Sequence, residues 1–165
     1  MSPYSASMLE IADRFCKTQE RVDLFRHWVQ YRKALVALGF SGDQWVDGSF
    51  CEDCEALRGK PPADIDMVTL LVRPNALITP AAIQAVLAAN PALFDRVQVK
   101  KNFLCDAFLV DVGFPAFAVH RQLTYFFGLF THQRASHLWK GMLQVPLLAD
   151  DDAALNFVDS LTFAP

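Results

Sequence analysis

Hydrophobic and polar positions in the first quarter of the chain follow the spacing of two amphipathic helices. Apolar residues recur at helical spacing from Ser7 to Cys16, and again after Thr18 until the run ends at Gly39. Ser and Thr are favourable N-caps, and Gly commonly follows the last residue of a helix. The pattern therefore predicts two helices within residues 1–40, which we expect to pack on the rest of the fold.

The second of these helices carries four basic side chains, which we interpret as a solvent-exposed face rather than a binding surface. They are Arg21, Arg26, Arg32 and Lys33. The apolar and aromatic residues of the same helix are expected to form part of the core.

The remainder of the chain alternates between extended and helical patterns. Four segments rich in β-branched and aromatic residues are predicted to be extended: residues 45–49, 64–72, 97–112 and 142–148. The third of these is expected to change direction near residues 100–102. Helices are predicted at residues 79–90 and 153–161. This alternation predicts an α/β (α+β) fold in which a small mixed β-sheet is flanked by α-helices.

Composition favours a single folded unit. The 165 residues are 53% hydrophobic and 20% charged, which is typical of a well-packed globular protein. We therefore predict one domain over residues 1–165. The aromatic run at residues 120–130 is expected to pack in the core or to form a dimer surface.

Charge and hydropathy argue against two classes of function. The formal net charge of −3 and the pI of about 5.7 give no strong signal for nucleic-acid binding. No apolar run reaches the roughly 20 residues of a membrane span, and the polar N-terminus lacks the apolar centre of a signal peptide. We therefore expect a cytoplasmic protein that does not associate with a membrane.

The four cysteines are expected to be reduced thiols in that compartment. Cys51 and Cys54 have the spacing of half a zinc site, so a metal or redox module is one alternative function. A structural zinc site needs four ligands, however, and the sequence has no second pair of cysteines.

A pair of carboxylates in the predicted strand at residues 64–72 gives the first chemical signal. Side chains of a strand alternate between its faces, so Asp64 and Asp66 share one face while Ile65 points into the core. With no Lys or Arg between them, their repulsion is relieved most simply by a divalent cation, and carboxylate oxygens suit Mg²⁺ or Mn²⁺. We therefore predict Asp64 and Asp66 as metal ligands.

A second signal lies just before this strand. The segment at residues 45–49 is expected to end in a tight turn at Gly48 and Ser49. Gly permits close approach of the backbone, and Ser offers a hydroxyl beside exposed N–H groups, which suits phosphate binding. Neither the turn nor the Asp-x-Asp spacing is specific alone, and it is their combination that carries the prediction.

This combination resembles the Gly-Ser…Asp-hydrophobic-Asp signature of the DNA polymerase β-like nucleotidyltransferase superfamily. Over most of the chain, the sequence is similar to an uncharacterised bacterial group of small nucleotidyltransferase-like proteins. The similarity rests on four motifs: Ser2-Pro3-Tyr4, Asp47-Gly48-Ser49-Phe50, Asp64-Ile65-Asp66-Met67-Val68-Thr69 and Trp139-Lys140-Gly141-Met142. The resemblance implies a nucleotidyltransferase fold, two-metal chemistry with Mg²⁺ or Mn²⁺, and an NTP substrate, with ATP as the first nucleotide to expect.

The resemblance also implies a third carboxylate, on a later strand beside the first two. Asp106 and Asp111 are the candidates: Asp106 shares a face with Phe108, whereas Asp111 lies on the opposite face near the strand end. We expect Asp106 to complete the catalytic and metal-binding set with Asp64 and Asp66 and to act as general base, with Asp111 as the alternative third ligand.

Basic residues outside the acidic motifs are candidates for binding the triphosphate. Arg58 and Lys60 lie in the polar segment between the two motifs, which is either a lid or a plain surface loop. Lys140 stands beside Gly141, which permits close approach, and is otherwise a surface lysine with its charged end in solvent. Arg134, in a polar stretch, is a further candidate.

The expected function is transfer of a nucleoside monophosphate from an NTP to an unknown acceptor, with release of pyrophosphate. A partner protein, an RNA end, a second nucleotide or a small molecule would all fit as acceptor. A partner protein or a homo-oligomer is implied by the resemblance only. The alternative is a catalytically silent nucleotide-binding or protein-interaction module on the same fold.

Overall fold

A computed structural model of the chain, which describes residues 2–133 and 138–163, contains a five-stranded mixed sheet covered by helices. The strands are β1 (Tyr4–Ser5), β2 (Ser41–Asp47), β3 (Ile65–Val72), β4 (Cys105–Asp111) and β5 (Leu143–Pro146). The α-helices are α1 (Met8–Phe15), α2 (Gln19–Ala37), α3 (Cys54–Arg58), α4 (Pro80–Ala89), α5 (Pro91–Phe94), α6 (Arg96–Phe103), α7 (Ala116–Phe130) and α8 (Asp151–Asp159). The α/β (α+β) fold class predicted from the sequence is confirmed.

The strands lie in the order β1-β5-β2-β3-β4. The central strand β2 is antiparallel to both of its neighbours, β5 and β3, whereas β1 is parallel to β5 and β3 is parallel to β4. Parallel neighbours need a crossover connection, and α4, α5 and α6 supply it between β3 and β4. Helix α6 therefore ends immediately before β4 begins.

The sheet has a hydrophobic core on each face. On one face, Val46 and Met67 pack with residues of α1, α2 and α8. On the other face, Trp45 and Val68 pack with Phe126 of α7. Alternate residues of β2 and β3 thus point to opposite cores, as the pleat of a strand requires.

The two helices predicted within residues 1–40 are confirmed, and side-chain caps fix where both begin. In α1, the Ser7 hydroxyl accepts a hydrogen bond from the Glu10 N–H at 3.1 Å, and the Glu10 carboxylate accepts one from the Ser7 N–H at 2.8 Å. This reciprocal pair is a capping box. In α2, the Thr18 hydroxyl accepts from the Arg21 N–H at 3.4 Å.

The interpretation of the four basic residues of α2 as a solvent-exposed face is wrong for two of them. The side chain of Arg32 is fully buried, and that of Arg21 is 6% exposed. Arg26 and Lys33 remain partly exposed, as the pattern predicts. A buried charge is tolerated only with partners, and those partners come from distant parts of the chain.

Arg32 is the centre of a buried polar network that joins α2 to α8 and to the sheet. Its guanidinium donates to the Asp151 carboxylate at 2.9 Å and to the Gln44 side-chain oxygen at 2.9 Å. It also donates to the carbonyl oxygens of residues 146 and 147. Trp28 donates its indole N–H to the same Gln44 oxygen at 2.8 Å.

The prediction that residues 97–112 are extended is wrong for its first half, which forms α6. Alternating apolar and polar residues resemble a strand here, but Val97 is 72% exposed and only Val99 is buried. The Asp95 carboxylate caps the helix by accepting from the Gln98 N–H at 2.9 Å. Leu104, with a φ of +53°, ends it in the left-handed region, and β4 then starts at Cys105.

The segment between the two motifs is more structured than the surface-loop interpretation suggests. A 3₁₀ turn covers Ser49–Cys51, and α3 follows it directly. Phe50 and Cys54 are buried, which anchors both elements.

Across the described parts of the chain, every helix is too short or too polar to cross a membrane.

Candidate functional site

Strand register sets three carboxylates side by side at one end of the sheet. Asp47, the last residue of β2, pairs with Asp66 in β3, and Asp66 pairs with Asp106 in β4. Paired residues of neighbouring strands project to the same face, and Asp64 shares that face because it precedes Asp66 by two residues. We call these four residues, Asp47, Asp64, Asp66 and Asp106, the acidic row.

Asp111 lies away from the acidic row. It pairs with Leu71 near the other end of β3 and forms an ion pair with Arg73 at 2.5 Å. Of the two candidates for a third carboxylate, Asp106 is therefore the one that lies beside Asp66. Its role as ligand and general base remains a prediction.

The turn at Gly48 lies against Asp66. Gly48 has a φ of +79°, in the left-handed region that favours glycine, and a Cβ there would lie 1.8 Å from the Asp66 Oδ2. The predicted tight turn is thus present, and the close approach that glycine permits is toward a carboxylate of the acidic row. Ser49 follows as the first residue of the 3₁₀ turn.

Basic side chains contact most of the acidic row. Lys100 Nζ lies 2.5 Å from the Asp64 Oδ2 and 3.7 Å from the Asp106 Oδ2. Arg96 donates to both oxygens of Asp106, at 2.5 and 2.8 Å, and its guanidinium carbon lies 4.2 Å from the centre of the Phe108 ring. These contacts come from one face of α6.

Lys140 supplies the cation at the other end of the row. Its Nζ lies 2.8 Å from the Asp47 Oδ2 and 3.2 Å from the Glu52 Oε1. The side chain is 17% exposed, so the alternative of a solvent-facing surface lysine does not describe it.

Ion pairs and burial shift the pKa values of the site in different directions. The hydrogen bond from Arg96 is the main reason that the pKa of Asp106 lies below its ordinary value, and the bond to Asp64 raises the pKa of Lys100. Burial raises the pKa of Asp47, although Lys140 opposes that shift. Within the described chain, Oδ1 of Asp47 is buried without a hydrogen-bond partner. That oxygen would be satisfied by a proton or a cation.

The acidic row suits a hard divalent cation by its donor chemistry, since all four of its side chains are carboxylates. Carboxylate oxygens are the ligands that Mg²⁺ prefers, and the unsatisfied oxygen of Asp47 adds a free acceptor beside Asp66. In the arrangement described, however, no three His, Cys, Asp or Glu side chains are grouped to hold a metal ion. Arg96 and Lys100 hold Asp64 and Asp106 instead.

The acidic row opens into a cavity of about 630 Å³, within the range of small-molecule sites. The described residues that line it come from the acidic row, the segment after Gly48, α6, the end of α7 and the stretch before β5: Asp47, Gly48, Ser49, Glu52, Leu57, Arg58, Asp64, Asp66, Lys100, Asp106, Leu129, Phe130, His132, Gln133 and Lys140. The cavity therefore contains both acidic and basic groups, together with apolar side chains at one side.

The basic residues predicted to bind phosphate differ in position. Arg58 and Lys140 line the cavity, and Arg58 forms an ion pair with Glu52. Lys60 is exposed and lies outside the lining. Arg134 falls outside the described residues.

Arg21 holds the segment after Gly48 from its buried side. It donates to the carbonyl oxygens of Phe50 and Glu52, each at 2.7 Å, and to both carboxylate oxygens of Glu55, at 2.6 and 2.7 Å. The first turn of α2 thereby fixes the backbone that carries Ser49 and Glu52 into the cavity.

Glu55 is expected to make stability depend on pH in the acid range. The hydrogen bond from Arg21 lowers the pKa of Glu55 from 4.5 to about 2. Because the folded-state pKa is the lower one, the stabilisation is present above pH 4.5 and is lost as the pH falls toward about 2. Urea unfolding at several pH values in this window should therefore show a shallower loss of unfolding free energy for Glu55→Gln than for the wild type.

The control for this measurement is Glu20→Gln, which removes an exposed carboxylate from the first turn of α2. Because it leaves the Arg21–Glu55 pair in place, it should keep the loss of unfolding free energy that this pair produces in the acid range. Equal slopes for Glu55→Gln and the wild type would contradict the assignment of the stabilisation to the Arg21–Glu55 pair.

Sequence reasoning did not select four residues that the structure brings to this site: Asp47, Glu52, Arg96 and Lys100. Asp47 had a signal, because a carboxylate that ends one strand lies near the start of the next when the two strands are antiparallel neighbours. Arg96 and Lys100 had none, because residues 97–112 were predicted to be extended and Arg96 lay just outside that segment. On a helix, their spacing of four residues places them on one face.

The fold and the site together define a class: an α+β protein with an acidic cavity built from adjoining strand ends of a mixed sheet. The sequence matches the family described as "Family of unknown function (DUF6932)" over residues 2–146, and the chain belongs to that family. The matched range includes β1 to β5 and the whole acidic row, whereas α8 lies beyond it. No curated protein and no solved structure matches the chain.

Proposed function

We propose that this protein is a Mg²⁺-dependent nucleotidyltransferase, which transfers a nucleoside monophosphate from an NTP to an acceptor hydroxyl and releases pyrophosphate. The observation that carries this proposal is the strand register that sets Asp66 between Asp47 and Asp106, against the turn at Gly48. Clustered carboxylates beside a tight turn, in a cavity of this size, are the parts that metal-assisted phosphoryl chemistry needs.

The metal would be held by Asp64, Asp66 and Asp106, whose oxygens suit Mg²⁺ or Mn²⁺. A bound ion supplies stabilisation of the negative charge on the attacking and leaving oxygens. The acceptor oxygen forms a bond to the α-phosphorus as the bond to pyrophosphate breaks, and the hydroxyl proton passes to the Asp106 carboxylate. The Ser49 hydroxyl and the N–H groups beside Gly48 orient the triphosphate.

Two basic residues of the cavity lining would balance the charge of the triphosphate. Arg58 and Lys140 both line the cavity, and Lys140 is kept there by Asp47 and Glu52. A lysine held between two carboxylates stays charged, since its bonds to Asp47 and Glu52 raise its pKa against the effect of burial. ATP is the first nucleotide to test.

The test is isothermal titration of each of the four NTPs with Mg²⁺, together with an assay of pyrophosphate release. The wild type is expected to bind at least one NTP only when the metal is present. The double variant Asp64→Asn, Asp66→Asn is expected to show no binding and no release, because it removes two of the three metal ligands. Asp111→Asn removes a carboxylate from β4 outside the site and should behave as the wild type. A folded wild type that binds no NTP would refute the proposal.

A catalytically silent nucleotide-binding module is the second candidate. The ion pairs that Lys100 and Arg96 make with the acidic row favour it, since they balance the carboxylates without a metal. Such a module would bind an NTP with or without Mg²⁺ and would release no pyrophosphate with any acceptor offered. The same titrations therefore separate the two candidates.

Location and partners belong to the same proposal. The four cysteines are free thiols, which supports a reducing, cytoplasmic setting. The expected partners are a nucleotide and an acceptor, and a partner protein or a second copy of the chain could complete acceptor binding.

A further inference from the structure

Helix α6 presents two cations to the acidic row from a fixed position. Arg96 and Lys100 are four residues apart and therefore share one face of the helix. The helix begins at Arg96, after the Asp95 cap, and ends at Phe103, only three residues before Asp106. This short connection leaves α6 little freedom to move away from β4, so a change at the site has to come from the side chains.

The two cations are held with different strength. Arg96 makes a bidentate contact with Asp106 and also stacks on Phe108, so several interactions fix one rigid group. Lys100 makes one close contact, with Asp64, and one longer contact, with Asp106. Both side chains are about half exposed, at 52% for Lys100 and 54% for Arg96, so the difference lies in their contacts. The flexible side chain of Lys100 can leave the carboxylates without unpacking the core.

Lys100 contacts two of the carboxylates that would hold a divalent cation. It bridges Asp64 and Asp106, two of the three proposed metal ligands, and it also lines the cavity that would hold the triphosphate. A metal ion held by these residues would therefore compete with the Lys100 ammonium for the same oxygens. A lysine displaced by the metal is left facing the cavity, where a phosphate is the partner that matches its charge.

We propose that Lys100 is an internal counter-ion that a divalent cation displaces from Asp64 and Asp106, and that the displaced Lys100 then binds the phosphates of the nucleotide. This inference rests on the proposed function. Metal and nucleotide binding then strengthen each other. The metal frees Lys100 to bind a phosphate, and a phosphate that binds Lys100 frees the carboxylates of Asp64 and Asp106 to bind the metal.

The experiment uses Lys100→Met, which keeps the apolar part of the side chain and removes the charge. With Mn²⁺ alone as the probe, titrated in the absence of nucleotide, the variant is expected to bind the ion about tenfold more tightly than the wild type, a coupling of ordinary size. With saturating Mg²⁺, it is expected to bind ATP about tenfold more weakly. Loss of the Lys100 ammonium is thus expected to raise the affinity for Mn²⁺ and to lower the affinity for ATP.

Lys101→Met is the matched control, since Lys101 is the next residue of α6 and is exposed. It should leave both affinities at the wild-type values. Equal Mn²⁺ affinity for Lys100→Met and Lys101→Met would overturn the inference, even where the wild type binds MgATP and releases pyrophosphate. Tighter Mn²⁺ binding with unchanged ATP binding would overturn the second step. Absence of Mn²⁺ binding in every variant would refute both the inference and the proposed metal site.

Discussion

Replacement of Arg32 by alanine is expected to lower the free energy of unfolding by about 3–5 kcal/mol, the usual cost of removing one partner from a buried ion pair. The side chain is fully buried, and Asp151, its carboxylate partner, is 12% exposed. Without the guanidinium, Asp151 keeps a charge in a site that solvent reaches poorly. The Gln44 oxygen and two carbonyl oxygens also lose a donor. Guanidinium chloride unfolding, followed by circular dichroism, measures the change.

Lys33→Ala is the matched control, because Lys33 is the next residue of α2 and pairs with Asp152 at 2.5 Å. Both side chains of that pair are exposed, so the expected loss is below about 1 kcal/mol. The double variant Arg32→Met, Asp151→Leu removes both charges and should recover part of the loss, since an apolar pair leaves no uncompensated carboxylate. A loss for Arg32→Ala no larger than that for Lys33→Ala would contradict the burial of the network.

The buried arginines also show why the sequence predicts where a helix lies better than it predicts which of its side chains are buried. Helix α2 begins at a local cap and ends before Gly39, and such signals lie within a few residues of each end. Whether Arg32 is exposed depends instead on Asp151, which is 119 residues away. A basic residue of an amphipathic helix is exposed by default, and only tertiary structure supplies the partner that reverses this expectation.

Helix α6 shows the corresponding failure of local pattern. The alternation of Val97 and Val99 with polar residues has the period of a strand, but the segment is held as a helix by the Asp95 cap and by packing on β4. Only one of the two valines is buried. Tertiary packing outweighs the low helix propensity of the β-branched valines in this segment.

The residues of the acidic row could be predicted where their positions follow from the residues next to them in the sequence, and not where they depend on the pairing of strands. The shared face of Asp64 and Asp66 follows from strand alternation alone. The same rule separated Asp106 from Asp111, and the register of β3 with β4 then placed Asp106 beside Asp66. The position of Asp47 at a strand end was a signal only if β2 and β3 are antiparallel neighbours, and that pairing is not specified by the residues around Asp47.

Replacement of Gly48 by alanine is expected to slow pyrophosphate release about 100-fold while the protein remains folded, as a displacement of about 1 Å does at a positioned group. A Cβ at this position would lie 1.8 Å from the Asp66 Oδ2 and 2.7 Å from its Cγ. The Asp66 carboxylate would therefore have to move. The φ of +79° adds backbone strain of about 1–2 kcal/mol, which does not depend on Asp66.

Gly59→Ala separates the steric contact from the backbone strain. Gly59 has a φ of +67°, close to that of Gly48, but a Cβ there would meet nothing within 4 Å. It should lose similar stability in thermal unfolding and keep the wild-type rate of pyrophosphate release. If Gly48 acts through Asp66, the effects of the two substitutions on Mg²⁺-dependent ATP binding should not add. The double variant Gly48→Ala, Asp66→Asn should then bind ATP as weakly as Asp66→Asn alone. Independent losses from the two substitutions would assign Gly48 a direct role at the triphosphate instead.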